Sequence, residues 1–300
     1  MKKFVMYCKT YIGDIEPLKI MVSSFKKHNK QNIDLYISCP KEDVERFRCF
    51  EDGSIHIITD EDYGLKYYPK RTKYGFSLGY FHQEICKLAF WETGLCENYL
   101  CIDSDGVFIR DFVFSDFMWN EDVPYTVLVM DKDLAVEKQY QQYWDWRKEK
   151  ITQIYQFMEM GNLPFRTCHG FQIMNSKVLE SLKEYLNKKD MSYSDAIELS
   201  PFEFSWYNCA ALKFNRIPII AVEPYFKYFH NKSEYMNARR MNIGISDLSR
   251  AYIGIVMNSN WNKKHKQYKS PSVITRFLYY MNQINVFSLA RKVKAYLRKH

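Results

Sequence analysis

Short apolar runs alternating with stretches of helical character constrain this fold more than any other feature of the sequence. Phe4-Val5-Met6-Tyr7-Cys8 reads as a buried strand, followed by a loop through Gly13 and a helix capped at Asp14 with Pro17 in its first turn. Ile33 to Ile37 is a second run, ended by Ser38-Cys39-Pro40. A helix from Lys41 to about Phe50 and a third strand, Ile55 to Ile58, come next. Strands separated by helices require crossover connections and therefore a parallel sheet. The expected fold class is α/β, with a Rossmann-like, mostly parallel central sheet flanked by helices.

Farther along, His82 to Trp91 reads as a helix closed near Gly94. Asn98 to Ile102 and Val107 to Ile109 read as strands on either side of Asp103-Ser104-Asp105-Gly106. Tyr125 to Met130, Gly170 to Met174 and Ile217 to Val222 are further strands. Gln139 to Met160, Lys177 to Leu186 and Phe202 to Phe214 are helices. This organisation predicts one domain over residues 1–250 and a basic, amphipathic helical extension over residues 251–300.

The phosphate cradles of dinucleotide enzymes and P-loop ATPases are missing, since neither GxGxxG nor GxxxxGK[ST] occurs. The eight cysteines form no CxxC pair, and several sit inside apolar runs, which points to free thiols in a reducing cytoplasm rather than to zinc or disulfides. The N-terminal apolar run is too short for a signal sequence. No uncharged apolar run reaches the roughly 18 residues a membrane span needs. A cytoplasmic protein is expected.

Alternate residues of a strand point to one side, so Asp103 and Asp105 can converge on one cation while Ser104 faces away. Carboxylate oxygens select hard ions such as Mg²⁺ or Mn²⁺, which keep open positions for a diphosphate. The same spacing in Asp131-Lys132-Asp133 lacks the glycine turn and the second strand that flank the earlier pair.

In these residues the sequence resembles GT-A glycosyltransferases with a DxD-type motif, of the bacterial kind that builds capsule or lipopolysaccharide. The resemblance is carried by the opening strand, the Gln83 to Leu88 helix, the Ile102-Asp103-Ser104-Asp105-Gly106 turn, Cys168 to Met174, and the helix start Ser200 to Tyr207. It implies Mn²⁺ or Mg²⁺ as cofactor, a nucleotide sugar, UDP-linked, as donor, and a glycan or lipid-linked glycan as acceptor. By position, Asp103 meets ribose and metal, Asp105 holds the metal, and His230 is the third ligand. Thr10, Tyr11, Asp34 or Ser38, Arg71 and Lys87 serve the donor. His169 stands on the acceptor side. Glu203 is the general base of an inverting transfer, with Asp195 and Glu198 in reserve. A retaining transferase and a non-catalytic, membrane-associated carbohydrate-binding or assembly protein stay open as alternatives.

The net charge of +8 is unevenly placed. Eleven basic residues and no acidic one follow Asp247, leaving residues 1–247 at −3. A nucleic-acid footprint needs basic charge over the fold, so that partner is disfavoured. Winding Val286 to Lys299 as a helix gathers Val286, Leu289, Ala290, Val293, Tyr296 and Leu297 on one side, with Arg291, Lys292, Lys294, Arg298 and Lys299 on the other. Such a helix suits an anionic membrane surface and predicts a peripheral location on the inner face of the plasma membrane.

Overall fold

The computed structural model describes residues 1–67, 77–136, 138, 140–161, 163, 166 and 170–257. The strands of the described residues are β1 (Lys2–Lys9), β2 (Leu35–Cys39), β3 (Ile55–Thr59), β4 (Cys96–Ile102), β5 (Gly106–Phe108), β6 (Tyr125–Val127), β7 (Ile173–Asn175), β8 (Ile220–Val222), β9 (Phe226–Phe229) and β10 (Gly254–Met257). The helices are α1 (Ile15–His28), α2 (Val44–Phe47), α3 (Leu78–Ala89), α4 (Lys132–Val136), α5 (Gln141–Phe157), α6 (Ser176–Asn187), α7 (Tyr193–Leu199), α8 (Glu203–Phe214), α9 (Lys232–Arg240) and α10 (Ile245–Leu248).

The central sheet runs β3-β2-β1-β4-β7, parallel through its first four strands and antiparallel at β7. The expected α/β class, a mostly parallel sheet flanked by helices, is what the chain adopts. Residues 4–9 of β1 are buried, and their alternation splits the interior in two. Phe4, Met6 and Cys8 face a core built on Leu18, Met21 and Phe25 of α1. Val5 and Tyr7 face the other core, with Phe81 and Ile85 of α3 and Trp206 of α8.

Register decides where chemistry can gather. Lys9 lies opposite Ser38, Cys8 opposite Ile102, and Cys39 opposite Thr59. The C-terminal ends of β1 to β4 therefore form one edge, where open parallel sheets place their ligands.

Several elements differ from expectation. The stretch from Lys41 to Phe50 is a short α-turn, α2, between two 3₁₀ turns rather than one helix. The strand expected from Tyr125 to Met130 ends at Val127. Beyond Val222, β9 and β10 add to β5 in a second sheet ordered β5-β10-β9. Residues 254–257 thus pair with strands of the domain, although they fall after the expected boundary at residue 250. The amphipathic stretch of residues 286–299 lies outside the described residues. No helix of the described residues is long and apolar enough to cross a membrane.

Candidate active site

The turn after β4 brings Asp103 and Asp105 to the C-terminal edge of the sheet. The Gly106 amide donates to the Asp103 carbonyl at 3.0 Å and closes the turn. A side chain at position 106 would come within 3.0 Å of the Phe171 ring and 3.3 Å of that carbonyl, so glycine lets the turn pack tightly.

A buried lysine organises what surrounds it. Phe81, Glu84, Ile85, Lys87 and Leu88 belong to the buried face of α3, which turns two charged residues inward with the apolar ones. The Lys87 Nζ stands 3.0 Å from Asp103 Oδ1, 2.9 Å from Glu203 Oε1 and 3.9 Å from Glu84 Oε1. It also lies 5.0 Å from the centre of the Phe204 ring. Gln83 Nε2 donates to the same Asp103 oxygen at 2.8 Å. Three residues singled out in the sequence, Lys87, Asp103 and Glu203, thus converge from three separate elements.

The electrostatics of this cluster follow from burial. Burial works against the charged form of Lys87, but Asp103 and Glu84 outweigh it and hold the ammonium above the usual lysine range. Burial pushes the Glu84 carboxyl up to about 7, with Lys87 pulling the other way. Three carboxyl groups around one ammonium is a poor arrangement for stability alone, which marks the cluster as a functional candidate. It also corrects the expectation for Lys87 as a free phosphate ligand. With its side chain 4 % exposed, the lysine spends its charge on Asp103 and Glu203.

On the far side of the turn, Gly106 pairs with Val256, and Val256 with Tyr228, so β10 ties the turn to β9. The Tyr228 phenol is pushed well up, by burial first and then by the charges of Asp105 and Asp103. His230, just past β9, is half-buried between the rings of Tyr228 and Tyr140, each at 5.0 Å. Its backbone amide donates to Glu234 Oε2 at 2.8 Å. Among the described residues, no three His, Cys, Asp or Glu side chains stand close enough to hold one ion, so the expected trio Asp103, Asp105 and His230 is not assembled. The carboxylate chemistry itself suits a hard divalent ion. Because Gln83 and Lys87 share Asp103 Oδ1, the other Asp103 oxygen and the Asp105 carboxylate would hold it.

Of the expected donor residues, Thr10 and Tyr11 stand at the end of β1. Thr10 is buried, its amide donates to the Ser38 carbonyl at 2.9 Å, and its hydroxyl has no hydrogen-bond partner among the described residues. The Tyr11 ring is 45 % exposed and lies over Gly13. Asp34 is a correction. It precedes β2, about 13 Å of strand from Ser38 at 3.3 Å per residue, and pairs with Lys2 and with His56 at 3.1 Å on the opposite edge. Arg71 and His169 lie outside the described residues. Asp195 accepts from the Ser192 hydroxyl at 2.6 Å in a helix cap, a structural task.

Sequence reasoning named Ser38 beside Asp34 but missed the second buried network that Ser38 joins beside Thr10. Lys9 Nζ meets Asp60 Oδ2 at 2.7 Å, the Ser38 hydroxyl donates to Asp60 Oδ1 at 2.5 Å, and the Tyr63 hydroxyl donates to Ser38 Oγ at 2.8 Å. The Tyr63 and Tyr7 hydroxyls stand 2.5 Å apart. The missed signal was positional: Lys9, Ser38, Asp60 and Asp103 all stand at or just past the ends of neighbouring parallel strands.

A family model described as "Family of unknown function (DUF6492)" matches residues 5–265. No curated protein matches the sequence. Similar solved structures include apo mouse xyloside xylosyltransferase 1, at 8 % identity and a TM-score of 0.48, covering 89 % of this chain and 99 % of that one. The galactosyltransferase LgtC, in complex with donor and acceptor sugar analogues, is similar at 12 % identity and a TM-score of 0.47, over 93 % and 96 % of the two chains. The apo WbbM bifunctional glycosyltransferase is similar at 12 % identity and a TM-score of 0.48, over 84 % and 45 %.

Proposed function

The chain belongs to the DUF6492 family, a family of unknown function, and from that premise we propose that it is a metal-dependent glycosyltransferase. It moves a sugar from a nucleotide sugar, UDP-linked, to a lipid-linked or oligosaccharide acceptor in bacterial surface-polysaccharide synthesis. The observation that carries this reading is the convergence of Asp103 and Glu203 on the buried Lys87 at the C-terminal edge of a parallel sheet.

Each residue then has a task. The donor nucleoside lies over the ends of β1 and β2, beside Thr10 and the exposed Tyr11 ring. A divalent ion on Asp103 and Asp105 would neutralise charge on the departing diphosphate. Lys87 fixes one oxygen of Asp103 and one of Glu203, so neither carboxylate reorients when substrate enters. Glu203 takes the proton of the acceptor hydroxyl as that oxygen bonds to the anomeric carbon and the carbon–phosphate oxygen bond breaks. This sequence inverts the anomeric centre. A retaining outcome would leave Glu203 without that task, and the product anomer tells the two apart. The basic residues after Asp247 hold the enzyme to the anionic inner face of the plasma membrane, where a lipid-linked acceptor resides.

The test is a thermal-shift series with UDP, GDP, CDP, CMP and ADP, each with Mn²⁺ or EDTA, because a ligand of the native state raises its apparent stability. The expected result is a shift with UDP that requires Mn²⁺ and disappears in Asp105→Ala. The same UDP shift in EDTA, or in Asp105→Ala, removes the metal from the proposal. No shift with any nucleotide, together with no turnover of a UDP-sugar, removes the transferase.

A further inference from the structure

The buried network beside Thr10 has a direction that can be followed atom by atom. Tyr63 donates its hydroxyl to Ser38 Oγ at 2.8 Å, so the Tyr7 hydroxyl, 2.5 Å from that of Tyr63, donates to Tyr63 in turn. Ser38 donates to Asp60 Oδ1 at 2.5 Å, and the other Asp60 oxygen takes Lys9 Nζ at 2.7 Å. The same ammonium donates to the Thr10 carbonyl at 2.7 Å. A line of polar contacts thus starts inside β1, crosses the ends of β2 and β3, and finishes on the backbone just past β1.

That backbone is held at two further points. The Thr10 amide donates to the Ser38 carbonyl at 2.9 Å, and the Ile12 amide to Asp43 Oδ2 at 2.9 Å. Tyr11, extended in its backbone and 45 % exposed, stands between the two tied residues. What the network leaves over is the Thr10 hydroxyl. It belongs to a residue 3 % exposed and has no hydrogen-bond partner among the described residues. A buried hydroxyl without a partner costs stability, and this one stands on the edge where a parallel sheet places its ligands.

Stability does not account for the charge pair either. The Lys9 and Asp60 side chains are 7 % and 4 % exposed. Taking two such charges out of water offsets much of their attraction, and apolar residues of similar size would join the strands as well. Apolar residues would not, however, hold the Thr10 carbonyl by a directed hydrogen bond. We propose that Lys9 and Asp60 are positioning residues: their ion pair, braced by Ser38 and Tyr63, clamps the turn of residues 10–12 in the shape that accepts the nucleotide of the donor. They act through Thr10 and touch no reacting atom. The inference rests on the transferase reading for the word donor, but the clamp itself can be measured without a nucleotide.

The test uses full-length Lys9→Met/Asp60→Asn, which removes both charges and leaves Ser38 an oxygen to donate to. Its melting temperature is expected near that of wild type. Without ligand, amide hydrogen exchange of residues 10–12 should quicken by about tenfold or more. The calorimetric Kd for UDP with Mn²⁺ should rise about tenfold. Thr10→Val keeps the shape, loses the hydroxyl and should weaken UDP by a similar factor. Combining all three substitutions should cost less than the product of the two effects, because both pass through one residue. In turnover of UDP-glucose or UDP-galactose the loss should fall on KM, with kcat within about twofold of wild type. Tyr63→Phe is the milder probe if the neutral pair does not fold, and should move exchange and affinity the same way by about threefold. Unchanged exchange of residues 10–12 overturns the clamp. Faster exchange with an unchanged Kd for UDP overturns its purpose, as does a loss confined to kcat or a full product of effects in the combined variant; the transferase reading survives each of these. A wild-type protein that binds none of UDP, GDP and CDP removes the donor reading, and the positioning role with it.

Discussion

Glu84 shows how a single residue carries the tension of this site. Its carboxyl is 3 % exposed, one helical turn from Lys87, and its Oε2 atom has no hydrogen-bond partner among the described residues. Burial raises it to about 7 from an ordinary value of 4.5, so between those values the folded protein holds a proton that the unfolded chain has released. Stability from this group is therefore complete below about pH 4.5 and is lost as the pH rises through about 7, by an amount on the order of 3 kcal/mol. Glu84→Gln removes the titration and keeps the shape. Its melting temperature relative to wild type should climb between pH 5 and pH 9, at roughly 2–4 °C per kcal/mol for a chain of this size. A difference that stays flat across that range would show that Glu84 is not held in its neutral form. Asp103, Lys87 and Glu203 were each legible one at a time, from a strand end, a helix and a helix start. Their meeting was not, because Lys87 and Glu203 are 116 positions apart and only the packing of α3 against α8 brings them together. The same limit explains Asp34, expected near the donor beside Thr10 but set before β2, where it pairs with Lys2 and His56.

At the scale of elements, legibility followed length and periodicity. The buried strand β1 and the long helix α5 announce themselves because many residues repeat one pattern. The strands β9 and β10 span four residues each and carry no alternation strong enough to distinguish them from loops. What makes them strands is each other and β5, which lies about 150 positions before β10. Their consequence is functional, since β10 is the one connection in that sheet between the Asp103–Asp105 turn and Tyr228. Gly254 sits on β10, where a β-carbon would fall 2.0 Å from the Phe226 ring and 2.7 Å from the Val107 carbonyl. Backbone and a buried ring both border that space, so neither neighbour gives way easily. Gly254→Ala should lower stability by about 1–3 kcal/mol, the usual range for overpacking, and weaken the Mn²⁺-dependent UDP shift by displacing β9 from the turn. A variant with the wild-type melting curve would mean that Phe226 repacks freely, and the sheet would lose its claim to hold the site together.

The molecule as a whole divides by charge. Residues 1–247 carry −3, while the 53 residues after them carry 11 basic side chains and no acidic one. The sheet class was readable because six consecutive buried residues in β1 cannot sit in a half-exposed antiparallel sheet. The charge division is readable in the same direct way, since it needs only counting. On the membrane placement proposed above, an acidic body would be repelled by an anionic bilayer and a basic segment drawn to it. Each basic residue near such a surface contributes about 1 kcal/mol, and the effect decays within a Debye length of about 8 Å at physiological salt. Replacing Arg291, Lys292, Lys294, Arg298 and Lys299 by glutamine should therefore cut sedimentation of the full-length protein with phosphatidylglycerol vesicles by at least about a hundredfold in affinity. Binding of the wild type should fall steeply as salt is raised, and binding to phosphatidylcholine vesicles should be weak throughout. Transfer to a soluble acceptor should survive the five substitutions, because the roles proposed for Lys87, Asp103, Asp105 and Glu203 call on none of them. If the glutamine variant sediments like wild type, the basic segment is not the anchor, and the membrane placement of the protein goes with it.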